Sequence, residues 1–365
     1  MKILFYAYTP GPAGCLELIS KALAAAGHIA TQAPRGAPIS EIHLTDARVS
    51  DAIVIGGPDS MYIESHLELA KAASRHNVPL IVIEDVPGTS MRPQFRPFAE
   101  KVVCVLIANP SMEAEVRAFG YSDVRYIGPP PHWGKTRDDI HKADKQKVRA
   151  AYRKRLANGQ LYPLAEGDIV IGYSGIKQHA INRTILEGLV AAGADGSSHR
   201  FLRFRPHPAE PKDAVAIHER NKFLEVLPAI VVVEEGVKLS PAEEIVGADI
   251  PIFAVGATDS IVCSYPDVGI AAGYFYDADC TEYMIKQLGI EGGRWAPADL
   301  GGVKLINGPE EFSEALQFLL STEGKRALRE TQLKNFPAPP TWDTADFYAS
   351  AVVDVVASRL GKAAE

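Results

Sequence analysis

Short apolar runs recur along this chain, and each ends in a small polar turn that leads into a helix-like segment. Lys2–Tyr8, Asp51–Gly56, Pro79–Ile83, Val102–Ile107 and Val124–Ile127 form the first series. Asp168–Gly172, Arg200–Arg205, Ala229–Glu234, Ile250–Val255 and Gly269–Tyr276 form the second. Strands that are apolar throughout must be covered on both faces. Helices between them supply the cover, so the pattern predicts parallel α/β sheets. Helices are predicted at Cys15–Ala26, Ile63–His76, Ser111–Phe119, Ala180–Ala192, Pro241–Val246, Pro309–Leu320 and Thr322–Leu333, with a long last one over Trp342–Leu360. A length of 365 residues fits two such domains.

The polar, charged run Gly134–Gly159 interrupts the two series and reads as an exposed helix carrying Arg149, Arg153 and Arg155. The boundary therefore falls near 130–165. The first domain spans 1–150 and is joined by the last helix at 342–361; the second spans 160–340. Both halves follow one plan of strand, glycine turn and helix, which leads us to expect two Rossmann-like domains facing a cleft.

Bulk properties narrow the function classes. A net charge of −7 argues against a dedicated nucleic-acid binder. The four cysteines, Cys15, Cys104, Cys263 and Cys280, lack metal-ligand spacing and read as buried or free thiols in a reducing compartment. No run has the length of a membrane span, and the N-terminus does not read as a signal peptide, so a soluble cytoplasmic protein is expected.

Ligands of parallel α/β sheets bind where the strands end at their carboxyl edge. In the first half, the loops at that edge offer the carboxylates Asp59, Glu84 and Asp85 as acid/base candidates, with local capping as the alternative for Asp59 and Asp85. In the second half, Gly172–Lys177 (GYSGIK) resembles a glycine turn cradling phosphate, with Ser174 and Lys177 as its polar groups. It is not a GxxxxGK[ST] loop, and GxGxxG is absent. Arg205-Pro206-His207-Pro208 holds a histidine rigidly at a strand end, with Arg203 and Arg205 on one strand face. Gly256–Ser260 (GATDS), with Thr258, Asp259 and Ser260, reads either as a phosphate-binding turn or as a helix cap.

These segments together resemble the GT-B fold shared by nucleotide-sugar glycosyltransferases and the non-hydrolysing UDP-GlcNAc 2-epimerases. KILFYAYTPGPAGCLELISKALAAAGH is similar to their opening strand, loop and helix. Residues 51–89 resemble the epimerase stretch that puts catalytic carboxylates at Asp59 and Glu84. RPHP resembles the His-Pro element of these enzymes, and VGADIPIFAVGATDSIVCSYPDVGIAAGYF the segment that meets the nucleotide diphosphate. The resemblance implies a glycosyltransferase with a nucleotide-sugar donor, UDP-linked, on the C-terminal domain and an acceptor on the N-terminal domain. It implies no cofactor and no metal, and leaves a homodimer open. Asp59, Glu84, Asp85 or His207 would move protons; Ser174, Lys177, Arg205, Thr258, Asp259 and Ser260 would hold the nucleotide and its phosphates. The alternatives are an epimerase or hydrolase of the same fold, or a non-catalytic binding protein. The chain departs from the epimerase pattern at GYSGIKQHAIN, which stands where those enzymes carry His-Arg-Arg-Glu-Asn, and it shows no equivalent of their ribose-binding glutamate.

Overall fold

A computed structural model describes residues 1–34, 36–57, 63–207, 214–257, 259–285 and 296–364. In chain order the first elements are β1 (Lys2–Tyr6), α1 (Pro10–Ala25), β2 (Ile29–Gln32), α2 (Glu41–Arg48), β3 (Ala52–Gly56), α3 (Ile63–His76), β4 (Leu80–Ile83), β5 (Val102–Leu106), α4 (Glu113–Phe119), β6 (Val124–Arg125), α5 (Pro131–Lys142), α6 (Lys145–Ala150), β7 (Tyr152–Leu156) and β8 (Leu161–Pro163). They are followed by β9 (Ile169–Ser174), α7 (His179–Ala191), β10 (Arg200–Arg205), α8 (Ala214–Glu225), β11 (Ala229–Val233), α9 (Pro241–Gly247), β12 (Ile250–Ala254), α10 (Asp259–Cys263), β13 (Gly273–Phe275), α11 (Ala278–Tyr283), α12 (Ala296–Asp299), β14 (Lys304–Ile306), α13 (Phe312–Leu320), α14 (Thr322–Asn335) and α15 (Ala345–Ala364). The chain divides into two compact units. One is built mainly from Met1–Lys135 and Pro339–Glu365, the other mainly from Thr136–Glu282 and the stretch ending at Ala338. The passage from the first to the second falls inside α5.

The first unit is a parallel six-stranded sheet, β2-β1-β3-β4-β5-β6. Its strand β1 shows why both faces are covered. Ile3 and Phe5 point to one side and join Leu16 and Ile19 of α1 with Val352 and Val356 of α15. Leu4 and Tyr6 point to the other side and join Leu69 and Ala73 of α3 with Phe95. All four β1 side chains are fully buried. Each large apolar side chain so buried contributes about 1.5–3 kcal/mol.

The last helix is pinned to this unit by polar bonds as well. Thr344 Oγ1 donates to the Pro129 carbonyl at 2.7 Å, and the Tyr348 hydroxyl to the Gly128 carbonyl at 3.0 Å. Gly134 of α5 lies against the chain just before α15. A Cβ there would stand 2.3 Å from the Trp342 carbonyl oxygen.

The second unit is an eight-stranded sheet, β14-β13-β12-β9-β10-β11-β7-β8. All its pairings are parallel except those of β7 with β11 and β8. The charged run 134–159 is thus not one exposed helix. Arg149 lies on α6 and binds Asp249 at 2.7 Å, while Arg153 and Arg155 lie on β7. Tertiary burial overrides local helix propensity here. Tyr152 is fully buried and packs with Val170, Phe201 and Val231. Lys154 lies over the Phe201 ring and reaches Asp168 at 2.6 Å. The region expected as a strand over Gly269–Tyr276 is shorter, β13 following a 3-10 turn at Pro266–Val268.

All four cysteines are free and buried. No described helix is long and apolar enough to cross a membrane.

Candidate functional site

In the second unit the strand sequence β9, β10, β11 runs outward to one side of β9, and β12, β13, β14 run to the other. The order reverses between β9 and β12. Loops diverge at such a point and leave a crevice at the carboxyl edge. The carboxyl ends of β9, β10 and β12 and the segments that follow them carry Ser174 and Lys177, Arg205 and His207, and Asp259 and Ser260. The fold therefore gathers these residues on one sheet edge.

The turn after β9 is tightly built. Ser174 and Arg205 are paired in register, and the Gly175 amide donates to the Arg205 carbonyl at 2.8 Å. A Cβ at Gly175 would lie 2.8 Å from the Phe204 ring, so the close passage of β10 requires glycine. Lys177 follows, exposed. Helix α7 then starts after Gln178, whose side chain does not cap it. The first turn of α7 thus begins two residues after Lys177.

Four groups at this edge are linked by their charges. Burial pushes the His207 imidazole down to about 4, and the nearby cations Lys177 and Arg205 push in the same direction. The imidazole is neutral at pH 7. Burial raises the Asp259 carboxyl, and Arg205 pulls it back. Lys177, Arg205, His207 and Asp259 thus form one electrostatic group, cationic on balance.

Ser260 stands apart from this group. It is fully buried, and both its hydroxyl (2.7 Å) and its amide (3.2 Å) donate to the Ala257 carbonyl. Both donors close the turn after β12. Thr258 lies outside the described residues. Arg203 is also engaged: it pairs with Glu244 of α9 at 2.5 Å, both side chains largely buried.

In the first unit the order reverses between β1 and β3. Asp59, in the loop after β3, lies outside the described residues. Glu84, at the end of β4, is fully buried. Its carboxylate accepts from the Ser90 amide at 3.1 Å, the Ser90 hydroxyl at 2.6 Å and the Ala108 amide at 3.3 Å. Burial raises its pKa, and the Ser90 bonds oppose the rise. This carboxylate braces the loops that follow β4 and β5. Asp85 is buried beside it, with Trp133 Nε1 donating to its carbonyl at 3.1 Å. Its carboxylate sits against two glycines. A Cβ at Gly11 would be 2.7 Å from Oδ2, and one at Gly57 2.9 Å from Oδ1.

His132, in the first turn of α5, has both ring nitrogens shut off from solvent, and burial pushes its pKa down to about 4. An unfolded histidine titrates near ~6.5. Between these values the unfolded chain binds a proton that the folded chain refuses, so stability falls with falling pH. The loss from His132 between pH 7 and pH 5 is about 2 kcal/mol. Glu84, with its raised pKa, works in the opposite sense and is present in both proteins of the comparison. Urea unfolding at the two pH values should therefore show a smaller acid loss in His132→Gln than in the wild type. Equal losses would refute the assignment.

Sequence reasoning passed over Asn182, Trp133, His132 and the Arg203–Glu244 pair. Asn182 left one trace: it falls on the apolar stripe of α7 with Leu186 and Leu189, where a polar residue needs a buried partner.

No protein-family model matches the sequence, and no curated protein is similar to it in sequence. Similarity appears in three dimensions. UDP-GlcNAc 2-epimerase from Neisseria meningitidis, solved with UDP-GlcNAc, superposes with a TM-score of 0.64 at 12% identity, covering 98% of this chain and 100% of that one. S. aureus MnaA, solved with UDP, gives 0.62 at 12% identity over 99% and 97% of the chains. Acinetobacter baumannii MurG gives 0.53 at 14% identity over 98% and 99%. The chain has the two-sheet α/β fold of these GT-B-like enzymes.

Proposed function

We propose that this GT-B-like chain is a glycosyltransferase that takes its sugar from a nucleoside-diphosphate donor without a metal. The observation that carries the reading is the convergence of Lys177, Arg205 and His207 on the edge where the strand order of the second unit reverses. Transfer of a sugar from a diphosphate leaves a second charge on the departing phosphate. Fixed cations at that position stabilise the transition state more than the ground state. Lys177 and Arg205 supply that charge, and the uncapped first turn of α7 adds N–H donors. His207, neutral at pH 7, hydrogen-bonds the diphosphate or carries a proton to it. Asp259 accepts a hydroxyl of the nucleotide ribose. Glu84 and Asp85 are buried, so Asp59 is proposed as the base for the acceptor hydroxyl.

The departure at GYSGIKQHAIN separates this reading from 2-epimerisation, because the residues of the epimerase run are absent there. The test is a thermal-shift panel of UDP-, GDP-, CDP- and CMP-sugars, followed by incubation with the best binder. UDP-sugars are expected to raise Tm, with no 2-epimer formed and nucleotide release requiring an added acceptor. Formation of the 2-epimer, or release without acceptor, would move the reaction to epimerisation or hydrolysis. No shift with any nucleotide sugar would refute the reading.

A further inference from the structure

We propose that Asn182 is the positioning residue of the diphosphate-holding turn, fixing Lys177 and the start of α7 before a ligand arrives; this rests on the reading of that edge given above. Asn182 is 3% exposed, one turn into α7. A buried primary amide must satisfy both its oxygen and its nitrogen. Its Oδ1 accepts from the Tyr173 hydroxyl at 2.7 Å and from the Ile176 amide at 2.9 Å. Its Nδ2 donates to the Ile176 carbonyl at 2.7 Å. Both backbone polar groups of one residue are thus held by one side chain. The opposite polarity of those two groups also fixes which end of the amide is oxygen.

The consequence spreads over three elements. Ile176 directly precedes Lys177, so the clamp sets the direction in which Lys177 leaves the turn. Tyr173, the second partner, belongs to β9 and stacks on Phe204 of β10 at 5.6 Å. Phe204 directly precedes Arg205. One amide therefore ties the end of β9, the turn, the first turn of α7 and, through the ring stack, the strand that carries Arg205. A stripe position serving only the core would hold an aliphatic residue at lower cost. An amide there makes the turn rigid, and rigidity ahead of binding lowers the cost of ordering a charged loop.

The test compares UDP with uridine, which lacks the phosphates, by NMR titration of the full chain. In Asn182→Leu the Kd of UDP should rise about tenfold or more, while that of uridine stays within about twofold. In Tyr173→Phe, which leaves both bonds to Ile176 in place, the UDP effect should stay below about threefold. Trypsin cleavage after Lys177, which reads turn order without ligand, should quicken in Asn182→Leu and stay near wild type in Tyr173→Phe. Asn182→Ser, which removes the clamp with less overpacking, should give the same pattern if the leucine variant does not fold. Wild-type UDP affinity in a folded Asn182 variant, or equal losses for UDP and uridine, would overturn the inference. Lys177→Ala and Arg205→Ala serve as the separate control. If neither changes UDP binding, the reading of the edge fails; if both weaken it and the Asn182 variants do not, only the clamp fails.

Discussion

Replacing Lys177 and Arg205 together by alanine is expected to raise the Kd of UDP about a thousandfold. A hydrogen bond to a charged group contributes roughly 1.5–3 kcal/mol, so about 2 kcal/mol for each cation gives about 4 kcal/mol for both. Calorimetric titration of each single variant and the double variant checks this, and each single change should cost about thirtyfold. The loss should shrink at high salt, since exposed Lys177 is screened more than half-buried Arg205. A second readout is independent of ligand. The two cations depress the His207 pKa, after burial itself. Their removal should move the His207 titration upward in NMR spectra, but not to the value of a free histidine, because burial remains. A double variant that binds UDP as the wild type does would remove the phosphate site from this edge.

The second large effect concerns stability. Gly134→Ala is expected to cost about 4 kcal/mol, in the range of severe overpacking. The new Cβ would lie 2.3 Å from the Trp342 carbonyl oxygen and 3.1 Å from its carbon. These are backbone atoms, so no rotamer change relieves the clash. Either α5 shifts or the strand of chain leading into α15 moves away. The second outcome breaks the bonds of Thr344 and Tyr348 to the 128–129 carbonyls. Gly14→Ala is the matched control. It lies within α1, nothing stands within 4 Å of its Cβ position, and alanine there should stabilise by about 0.5–1 kcal/mol. Urea unfolding of both variants checks the pair. Similar midpoints would show that the close passage at Gly134 is not rigid.

The alternation of apolar runs and helices was legible because burial on both faces leaves a continuous signature, as β1 and β9 show. The carboxyl-edge loops were legible for the same reason, since strand ends locate them. Strand β7 was not legible. Its pattern is one buried tyrosine among charged residues, and only pairing with β11, some 80 positions away by sequence, puts Arg153 and Arg155 on the strand face opposite Tyr152. Glu84 was legible in position but not in its bonds. It stands at a strand end, as a catalytic carboxylate should, but its fate depends on Ser90 and Ala108, which the sequence does not place beside it. The bonds of Ser260 were hidden likewise, because a hydroxyl in a turn looks the same whether it faces out or closes the turn. The Lys177, Arg205 and His207 group was nearer the surface of the sequence, since two neighbouring strand ends carry it.

Helix α15 bears on how this protein is made. It covers the face that α1 presents through Leu16, Ile19 and Leu23. On a ribosome those two helices emerge far apart in time. Roughly 320 residues lie between Ala25 and Ala345, which at 5–20 residues per second is roughly 15–60 s of synthesis. By the end of that interval every strand of the second unit has been made, while the first sheet still has one layer unfinished and an oily face uncovered. The order of completion is therefore the reverse of the order of emergence. A nascent chain of this kind keeps that apolar surface exposed until the last helix arrives.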